Sequence, residues 1–270
     1  MESTATTQDG LQRNFRADNL NVYVYESRAK MGKAAADVIA SEIRNLIERK
    51  GRAVVIFASA PSQNEFLANL VEARGIDWSR VVAFHLDEYL GMDENAPQSF
   101  RRFLIDRLAD KVPLGEFNGL HGESLDGDAE ARSYAQLLQQ NPPDIGVLGI
   151  GENGHLAFID PPFCNFQDPE AVKVVELDEV CRQQQVNDGA FQKLDDVPRN
   201  ALSLTIPTLM SRPELFAIAP GPAKRQAIKK TVEGPISTSC PASILRTHAD
   251  AHLFIDTDSA QLLTVSNSDL

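Results

Sequence analysis

The strongest constraint on the fold of this chain is the regular return of short apolar runs, separated by longer amphipathic stretches. Each run is four to six residues long and rich in Val, Ile and Phe. This length and composition are typical of strands buried on both faces of a parallel sheet. We therefore predict strands at Val22–Tyr25, Ala53–Ala58, Val81–Leu86, Ile145–Ile150, Val172–Leu177, Leu215–Ala219 and His252–Ile255.

The stretches between these runs place apolar residues at helical spacing, as expected for helices that cover a sheet. Helices are predicted at Ser27–Lys50, Gln63–Ala73, Ser99–Leu108, Ala129–Gln140 and Pro222–Glu233. The alternation predicts an α/β fold with an open, doubly wound, mostly parallel sheet and helices on both faces, as in Rossmann-like proteins. Ligands of such sheets bind beyond the carboxyl ends of the strands, so chemistry is expected just after each apolar run.

No repeat or long linker divides the sequence, and its 43% hydrophobic and 24% charged residues are ordinary for a globular protein. We predict one α/β catalytic domain over residues 19–257. Residues 1–18 are expected to be a disordered or extended N-terminus, and residues 258–270 a C-terminal tail.

Charge and cysteine usage exclude several classes of function. With 26 basic and 38 acidic residues the net charge is −12, which argues against nucleic acid or an anionic membrane as a partner. The three cysteines form no CxxC pair and the five histidines show no metal-ligand spacing, so neither a zinc site nor a disulfide framework is expected. No leader pattern or membrane-length apolar window is present, and a cytoplasmic protein with reduced thiols is predicted.

Two adjacent carboxylates, Asp87 and Glu88, follow the third predicted strand. An isolated pair of this kind is more often a helix cap or a solvated turn than a catalytic group. Its place at a strand exit nevertheless makes it a candidate for acid–base chemistry.

A glycine-rich turn follows the fourth predicted strand. Gly149, Gly151 and Gly154 lead directly into His155, and Asp160 comes five residues later. A lone histidine is usually a hydrogen-bonded core residue, but a tight turn, a strand exit and a nearby carboxylate together favour an oriented acid–base imidazole. The GxGxxG spacing is weak evidence for a dinucleotide site, because His155 and Pro161 do not suggest a long helix starting there.

These segments resemble a known family. LDEYLG at 86–91 and GIGENGHLAFIDPP at 149–162 look like the two signature segments of glucosamine-6-phosphate deaminases. The segment Gly221–Lys224, followed by a predicted helix, is similar to their lysine-bearing segment. The likeness covers most of the chain. The 6-phosphogluconolactonases of the same superfamily are more distant, since their counterpart of residues 87–89 usually reads differently.

The resemblance implies a role for four residues. Asp87 would be the base that moves a proton between two sugar carbons, and His155 would open the sugar ring. Asp160 stands where the family has a glutamate that orients this histidine, and Lys224 would hold the substrate phosphate.

The resemblance adds further expected site residues. Asn153 joins the catalytic set at a position where many relatives have aspartate, and Gly154 is expected at the substrate. Glu88 is also placed at the substrate, where it would either raise the pKa of Asp87 by repulsion or be a structural contact. Arg182 matches another arginine of the family, while an arginine that relatives use for phosphate falls near Asn187.

The segment after the second predicted strand departs from the family. Relatives have a glycine-containing Thr/Ser turn there, whereas this chain has Ser59, Ala60, Pro61 and Ser62. The flanking hydroxyls of Ser59 and Ser62 are retained as expected phosphate ligands. Pro61 has no N–H, so fewer backbone donors are available to an anion.

The resemblance thus implies an enzyme that converts glucosamine 6-phosphate to fructose 6-phosphate and ammonia, with no metal or organic cofactor. A carboxylate serves the proton transfer, and an imidazole with an ordinary pKa of about 6.5 serves the ring opening. Two alternatives stay open: a sugar-phosphate lactonase, and a catalytically weak sugar-phosphate binding or regulatory protein. The expected partner is a small phosphorylated amino sugar, and the sequence leaves a homo-oligomer open.

Overall fold

The structure is a computed structural model that describes residues 8–264 of the chain. The strands in this part are β1 Leu11–Ala17, β2 Leu20–Tyr25, β3 Ala53–Phe57, β4 Val81–His85, β5 Asp87–Tyr89, β6 Glu116–Asn118, β7 Ile145–Leu148, β8 Val172–Glu176, β9 Asn200–Leu204, β10 Glu214–Ile218 and β11 Ala251–Asp256. The helices are α1 Arg28–Lys50, α2 Asn64–Val71, α3 Phe100–Leu104, α4 Gly127–Gln140, α5 Glu179–Asn187, α6 Ile206–Met210 and α7 Arg225–Glu233.

Eight strands form the main sheet in the order β1-β2-β11-β10-β7-β3-β4-β6. Only the β1–β2 pair is antiparallel, and every other neighbouring pair is parallel. Separate apolar layers pack on the two sides of the sheet, one with α1 and α2 and the other with α4 and α7. The predicted α/β fold, with a mostly parallel sheet and helices on both faces, is confirmed.

A second, three-stranded antiparallel sheet has the order β5-β9-β8. The segment 172–177, predicted as a buried parallel strand, is instead the edge strand β8 of this small sheet. The prediction of a strand buried on both faces is wrong because part of β8 is accessible: Lys173 is only partly buried and Glu176 is exposed. Strand β5 begins two residues after β4 ends, so the chain passes from one sheet into the other at Leu86.

Helix α1 starts and ends where its sequence signals lie. The Ser27 hydroxyl accepts a hydrogen bond from the Lys30 N–H at 3.3 Å, which satisfies one free donor of the first turn. Gly51 ends the helix with a φ of 79°, a conformation that glycine adopts without strain. The segment predicted as one helix over 99–108 is α-helical to Leu104 and continues as a π-helical turn over Ile105–Ala109.

The described residues near both chain ends pack onto the domain. Residues 11–17, part of the segment expected to be disordered or extended, form the extended strand β1, which pairs along β2. Only Phe15 is buried in β1, and its polar neighbours hid the strand from the apolar pattern. At the other end Ser259 and Ala260 are buried, so the domain continues past 257. The rest of both predicted ends, residues 1–7 and 265–270, lies outside the described residues.

Within residues 8–264, no helix combines the length and apolar character that crossing a membrane requires.

Tyr134 of α4 fixes the end of β4, just before the two carboxylates. Its hydroxyl accepts a hydrogen bond from the buried His85 N–H at 3.0 Å. The same hydroxyl lies 3.0 Å from the carbonyl oxygens of His85 and of Asn118 and donates its single proton there. The hydroxyl therefore links α4, the exit of β4 and the end of β6.

We predict that Tyr134→Phe lowers the free energy of unfolding by about 1–3 kcal/mol, because the buried His85 N–H loses its acceptor. Urea unfolding followed by circular dichroism measures the change. Tyr23→Phe is the control. Within residues 8–264 the Tyr23 hydroxyl makes a single hydrogen bond, at 3.5 Å with His252, so this variant should lose less stability. An equal effect in the two variants would contradict the role given to Tyr134.

Candidate active site

A cleft of about 520 Å³, open to solvent, lies beyond the carboxyl ends of the central strands. The loops after β3, β4, β7 and β10 form it, together with α5. The structure brings five of the predicted residues to its wall: Ser59, Ser62, Asp87, His155 and Lys224. These residues are widely separated in sequence, and the parallel sheet brings them together because it places successive strand exits at one edge.

His155 is held by a fully buried carboxylate. Its Nδ1 lies 3.0 Å from Oδ1 of Asp160. Burial by itself would raise the pKa of Asp160. The pKa is nevertheless lowered overall, because His155 contributes a hydrogen bond and positive charge and Asn153 contributes a second hydrogen bond. Asp160 therefore stays ionised and fixes which imidazole nitrogen carries the proton, leaving Nε2 for acid–base exchange.

Asn153 braces this pair from the glycine turn. Its Nδ2 donates to Asp160 Oδ1 at 2.9 Å, and its Oδ1 accepts from the His155 N–H at 3.0 Å. Asn153 does not line the cleft, and neither does Gly154. Asn153 thus positions the histidine and its carboxylate through these two hydrogen bonds. The catalytic role expected of Asn153 and the substrate contact expected of Gly154 stay predictions.

The glycines of the turn are required by the histidine and by the local backbone. A Cβ atom on Gly151 would lie 2.2–2.4 Å from three atoms of the His155 ring. Gly154 has a φ of +88°, and a Cβ there would lie 2.6 Å from Sγ of Cys240. The turn is therefore built to seat an imidazole, which agrees with the rejection of a dinucleotide site.

Asp87 is the buried carboxylate of the cleft, with 7% of its surface exposed. Burial raises the pKa of Asp87 well above its ordinary value, and the negative charge of Glu88 adds to the rise. A carboxylate with a raised pKa is a stronger base than an exposed one and holds a proton longer. Asp87 therefore suits proton transfer to and from carbon.

Glu88 points away from the cleft and caps α3. Its carboxylate accepts from the Ser99 hydroxyl at 2.7 Å and from the N–H groups of Tyr89, Phe100 and Arg101 at 2.9, 3.1 and 2.8 Å. The expected contact between Glu88 and the substrate stays a prediction, and in the structure all four bonds hold the side chain at the start of α3. Its effect on the pKa of Asp87 remains.

The segment 59–62, which follows β3, lines the cleft with few free hydrogen-bond donors. Ser59 is 3% exposed, and its hydroxyl has no hydrogen-bond partner within the described residues. The Gln63 N–H is already bonded to the Ala60 carbonyl at 2.9 Å. The Gln63 amide donates to the Ser62 hydroxyl at 2.9 Å, so this hydroxyl remains free to donate to a ligand.

Lys224 brings a positive charge to the cleft from the turn after β10. Burial lowers its pKa, while the charges of Asp188 and Glu152 act in the opposite direction. Among the described residues, no other Lys or Arg lines the cleft.

Arg182 is not part of the cleft. Its guanidinium donates to the backbone carbonyls of Leu194 and Val197 at 2.7 and 3.0 Å. The placement of Arg182 among the substrate-binding residues stays a prediction, and in the structure this side chain fixes the loop after α5.

Three cleft residues were missed by the sequence reasoning: Gln184, Gln185 and Asp188, all on or next to α5. Gln184 Oε1 accepts from the Glu152 N–H, and Gln185 Oε1 accepts from the Tyr89 hydroxyl, both at 2.8 Å. The two glutamines thus tie α5 to both signature segments. The run of three glutamines between Arg182 and Val186 was the available signal, and only a known helix position would have shown that two of them line the cleft.

Two side-chain groups have the composition of a metal site. His155, Asp160 and Cys181 lie together at the cleft, and Glu214, Asp250 and His252 lie together near the amino ends of β10 and β11. In the first group burial raises the pKa of the Cys181 thiol, and Asp160 raises it further, so sulfur stays protonated and is a poor ligand. The predicted absence of a cofactor stays a prediction.

Fold and cleft together define an α/β protein with a carboxylate base and an oriented histidine at the carboxyl edge of its sheet. Residues 26–254 match the model of the family described as glucosamine-6-phosphate isomerases/6-phosphogluconolactonase. The chain belongs to this family.

Known relatives agree with this assignment. A Streptococcus pneumoniae protein named glucosamine-6-phosphate deaminase is 32% identical over 246 residues, which is 90% of this chain and 99% of the relative. A solved structure of a monomeric glucosamine-6-phosphate deaminase of the NagB superfamily is 29% identical and superposes with a TM-score of 0.82, covering 90% of this chain and 99% of its own. A 6-phosphogluconolactonase from Trypanosoma brucei, at 15% identity and a TM-score of 0.73 over 90% and 98%, shares the fold.

We predict that Asp87→Asn stabilises the protein at pH 8. The folded pKa of Asp87 is raised by burial and by Glu88, so its stabilising contribution is complete below the unfolded pKa of about 3.9 and is lost as pH rises through the folded pKa. Asparagine does not titrate and avoids this loss.

Urea unfolding of native protein and variant at pH 8 and pH 5 measures the effect, and the advantage of the variant should shrink at pH 5. Asp195→Asn is the control, because Asp195 is exposed and lies outside the cleft. A variant less stable than native protein at pH 8 would show that Asp87 is held by favourable contacts instead.

Proposed function

We propose that this protein is an aldose–ketose isomerising deaminase that converts glucosamine 6-phosphate to fructose 6-phosphate and ammonia. One observation carries the proposal: a buried carboxylate of raised pKa, Asp87, and a carboxylate-oriented imidazole, His155, line the same cleft. The names of the sequence relative and of the similar structure support the choice of substrate.

The reaction starts with ring opening, for which a proton must leave the C1 hydroxyl and reach the ring oxygen. His155 exchanges this proton through Nε2, while Asp160 stabilises the charged imidazole. Asp87 then removes the proton from C2 of the open amino aldose, and the carbonyl oxygen at C1 gains a proton. The product of this step is an enolamine. Because the reaction gives this enolamine and not a free carbanion, a base of modest strength can remove the C2 proton.

Asp87 next returns its proton to C1, which leaves an iminium group at C2. Water adds to this carbon, ammonia departs, and the ketose remains. One carboxylate therefore serves both transfers, because C1 and C2 are adjacent and Asp87 needs only a small shift between them. Its raised pKa favours the protonated state that the second transfer needs.

A lactonase is the second candidate, supported by the shared fold of 6-phosphogluconolactonases. Ester hydrolysis needs a base to activate water, which His155 could supply, but it gives Asp87 no proton to move between carbons. A sugar-phosphate binding or regulatory protein is the third. Ammonia released from glucosamine 6-phosphate supports the deaminase, acid released from 6-phosphogluconolactone supports the lactonase, and thermal stabilisation by the sugar without turnover supports the third.

We also propose that the protein works in the cytoplasm on this small molecule and has no nucleic-acid partner, as its net charge of −12 suggests. A homo-oligomer remains part of the proposal, and light scattering after gel filtration tests it.

We predict that Asp87→Asn lowers kcat by about 10²–10⁴, because the base is lost while the fold is kept. Coupled assays of ammonia and fructose 6-phosphate measure the rate, and circular dichroism checks the fold. Arg182→Ala provides a contrast, since Arg182 bonds only to backbone carbonyls among its described contacts and should change stability more than kcat. Near-native deamination by the Asp87 variant would remove Asp87 from the mechanism.

Lys224→Ala should raise KM for glucosamine 6-phosphate at least about tenfold, equivalent to about 1.4 kcal/mol of binding. Phosphate lies far from the reacting carbons, so its binding contributes equally to substrate and transition state and kcat should change less. Ser59→Ala and Ser62→Ala should each cost less than the lysine, because neutral hydroxyls make weaker bonds to an anion. Equal KM values for native protein and the lysine variant would exclude Lys224 as a phosphate ligand.

A further inference from the structure

The charges around Lys224 are unusual for a site that must hold a dianion. Asp188 lines the same cleft, and its charge raises the pKa of Lys224, as does that of Glu152. Asp188 directly follows α5 and is exposed, and its carboxylate accepts a hydrogen bond from the Gln184 amide at 3.4 Å. A phosphate placed on Lys224 would therefore approach a carboxylate as well as an ammonium.

Other cations that could offset this carboxylate are engaged elsewhere. The Arg182 guanidinium donates to backbone carbonyls, and Arg28 forms an ion pair with Glu65 at 2.7 Å and donates to the Pro61 carbonyl. The backbone offers little compensation, because Pro61 has no N–H and the Gln63 N–H is bonded to Ala60. One lysine and one aspartate thus line the same cleft, together with the two serines Ser59 and Ser62.

A sugar hydroxyl fits such a mixed set better than an anion does. A hydroxyl donates one hydrogen bond and accepts others, so it can donate to Asp188 and accept from Lys224 or from the unpartnered Ser59 hydroxyl. A phosphate has only acceptor oxygens when fully ionised and can use the lysine and the serines but not the aspartate.

We propose that Asp188 is a specificity-determining residue that relaxes the requirement for phosphate, so that the cleft takes free 2-amino-2-deoxyhexoses as well as their 6-phosphates. The proposal rests on the deaminase reaction proposed above. It concerns only the group carried at C6 of the substrate and leaves the roles of Asp87 and His155 unchanged.

The test compares kcat/KM for glucosamine and glucosamine 6-phosphate in native protein and in Asp188→Asn. Native protein should prefer the phosphate by less than about 100-fold. The variant keeps a polar side chain of the same shape but loses the charge, so its preference for phosphate should rise about threefold to tenfold, mainly through KM. An exposed carboxylate is partly screened by solvent, which limits the size of the effect.

Asp195→Asn is the matched control. It removes the same charge from the segment that follows α5 but outside the cleft, so it should leave the preference unchanged. A native preference above about 100-fold, or an unchanged preference in Asp188→Asn, would overturn the proposal while the deaminase stands. If neither sugar releases ammonia with native protein, the deaminase itself fails.

Discussion

The architecture of the site depends on one buried carboxylate, Asp160. Its two oxygens lie against His155 Nδ1, the Asn153 amide and the Asp178 N–H at 3.0, 2.9 and 3.1 Å. These partners belong to the catalytic turn and to the start of α5, so one side chain joins the histidine to the helix that forms a wall of the cleft. A buried ion is tolerated only when it is fully hydrogen-bonded. Loss of any of these donors would leave the buried carboxylate incompletely bonded and would destabilise the fold.

The main sheet could be predicted from sequence because buried parallel strands carry their signal locally. The runs at 53–58, 81–86, 145–150 and 215–219 became β3, β4, β7 and β10, and the residues just after them line the cleft. Asp87, His155, Asp160 and Lys224 were accessible to the same reasoning, since strand exits of one sheet converge. The edge strand β1 and the small sheet were not, because their residues are largely polar or paired with distant segments.

The direction of individual side chains was beyond sequence reasoning. Glu88 follows Asp87 immediately, yet β5 sends the two side chains to opposite faces, so one enters the cleft and the other caps α3. Arg182 aligns with an arginine of the family, but its guanidinium donates hydrogen bonds to two backbone carbonyls of the loop after α5. Gln184, Gln185 and Asp188 sit on a helix with too few apolar residues for its periodicity to be visible.

Glu88, the neighbour of Asp87, has two separate effects, one on the stability of a helix and one on the pKa of Asp87. Glu88 uses its negative charge to stabilise the start of α3, where free N–H groups and the helix dipole favour an anion. The same charge, next to a buried neighbour, raises the pKa of Asp87 and makes its ionised form more costly. Glu88 thereby caps α3 and also raises the pKa of Asp87. The two adjacent carboxylates serve different parts of the fold because successive side chains of β5 point to opposite faces.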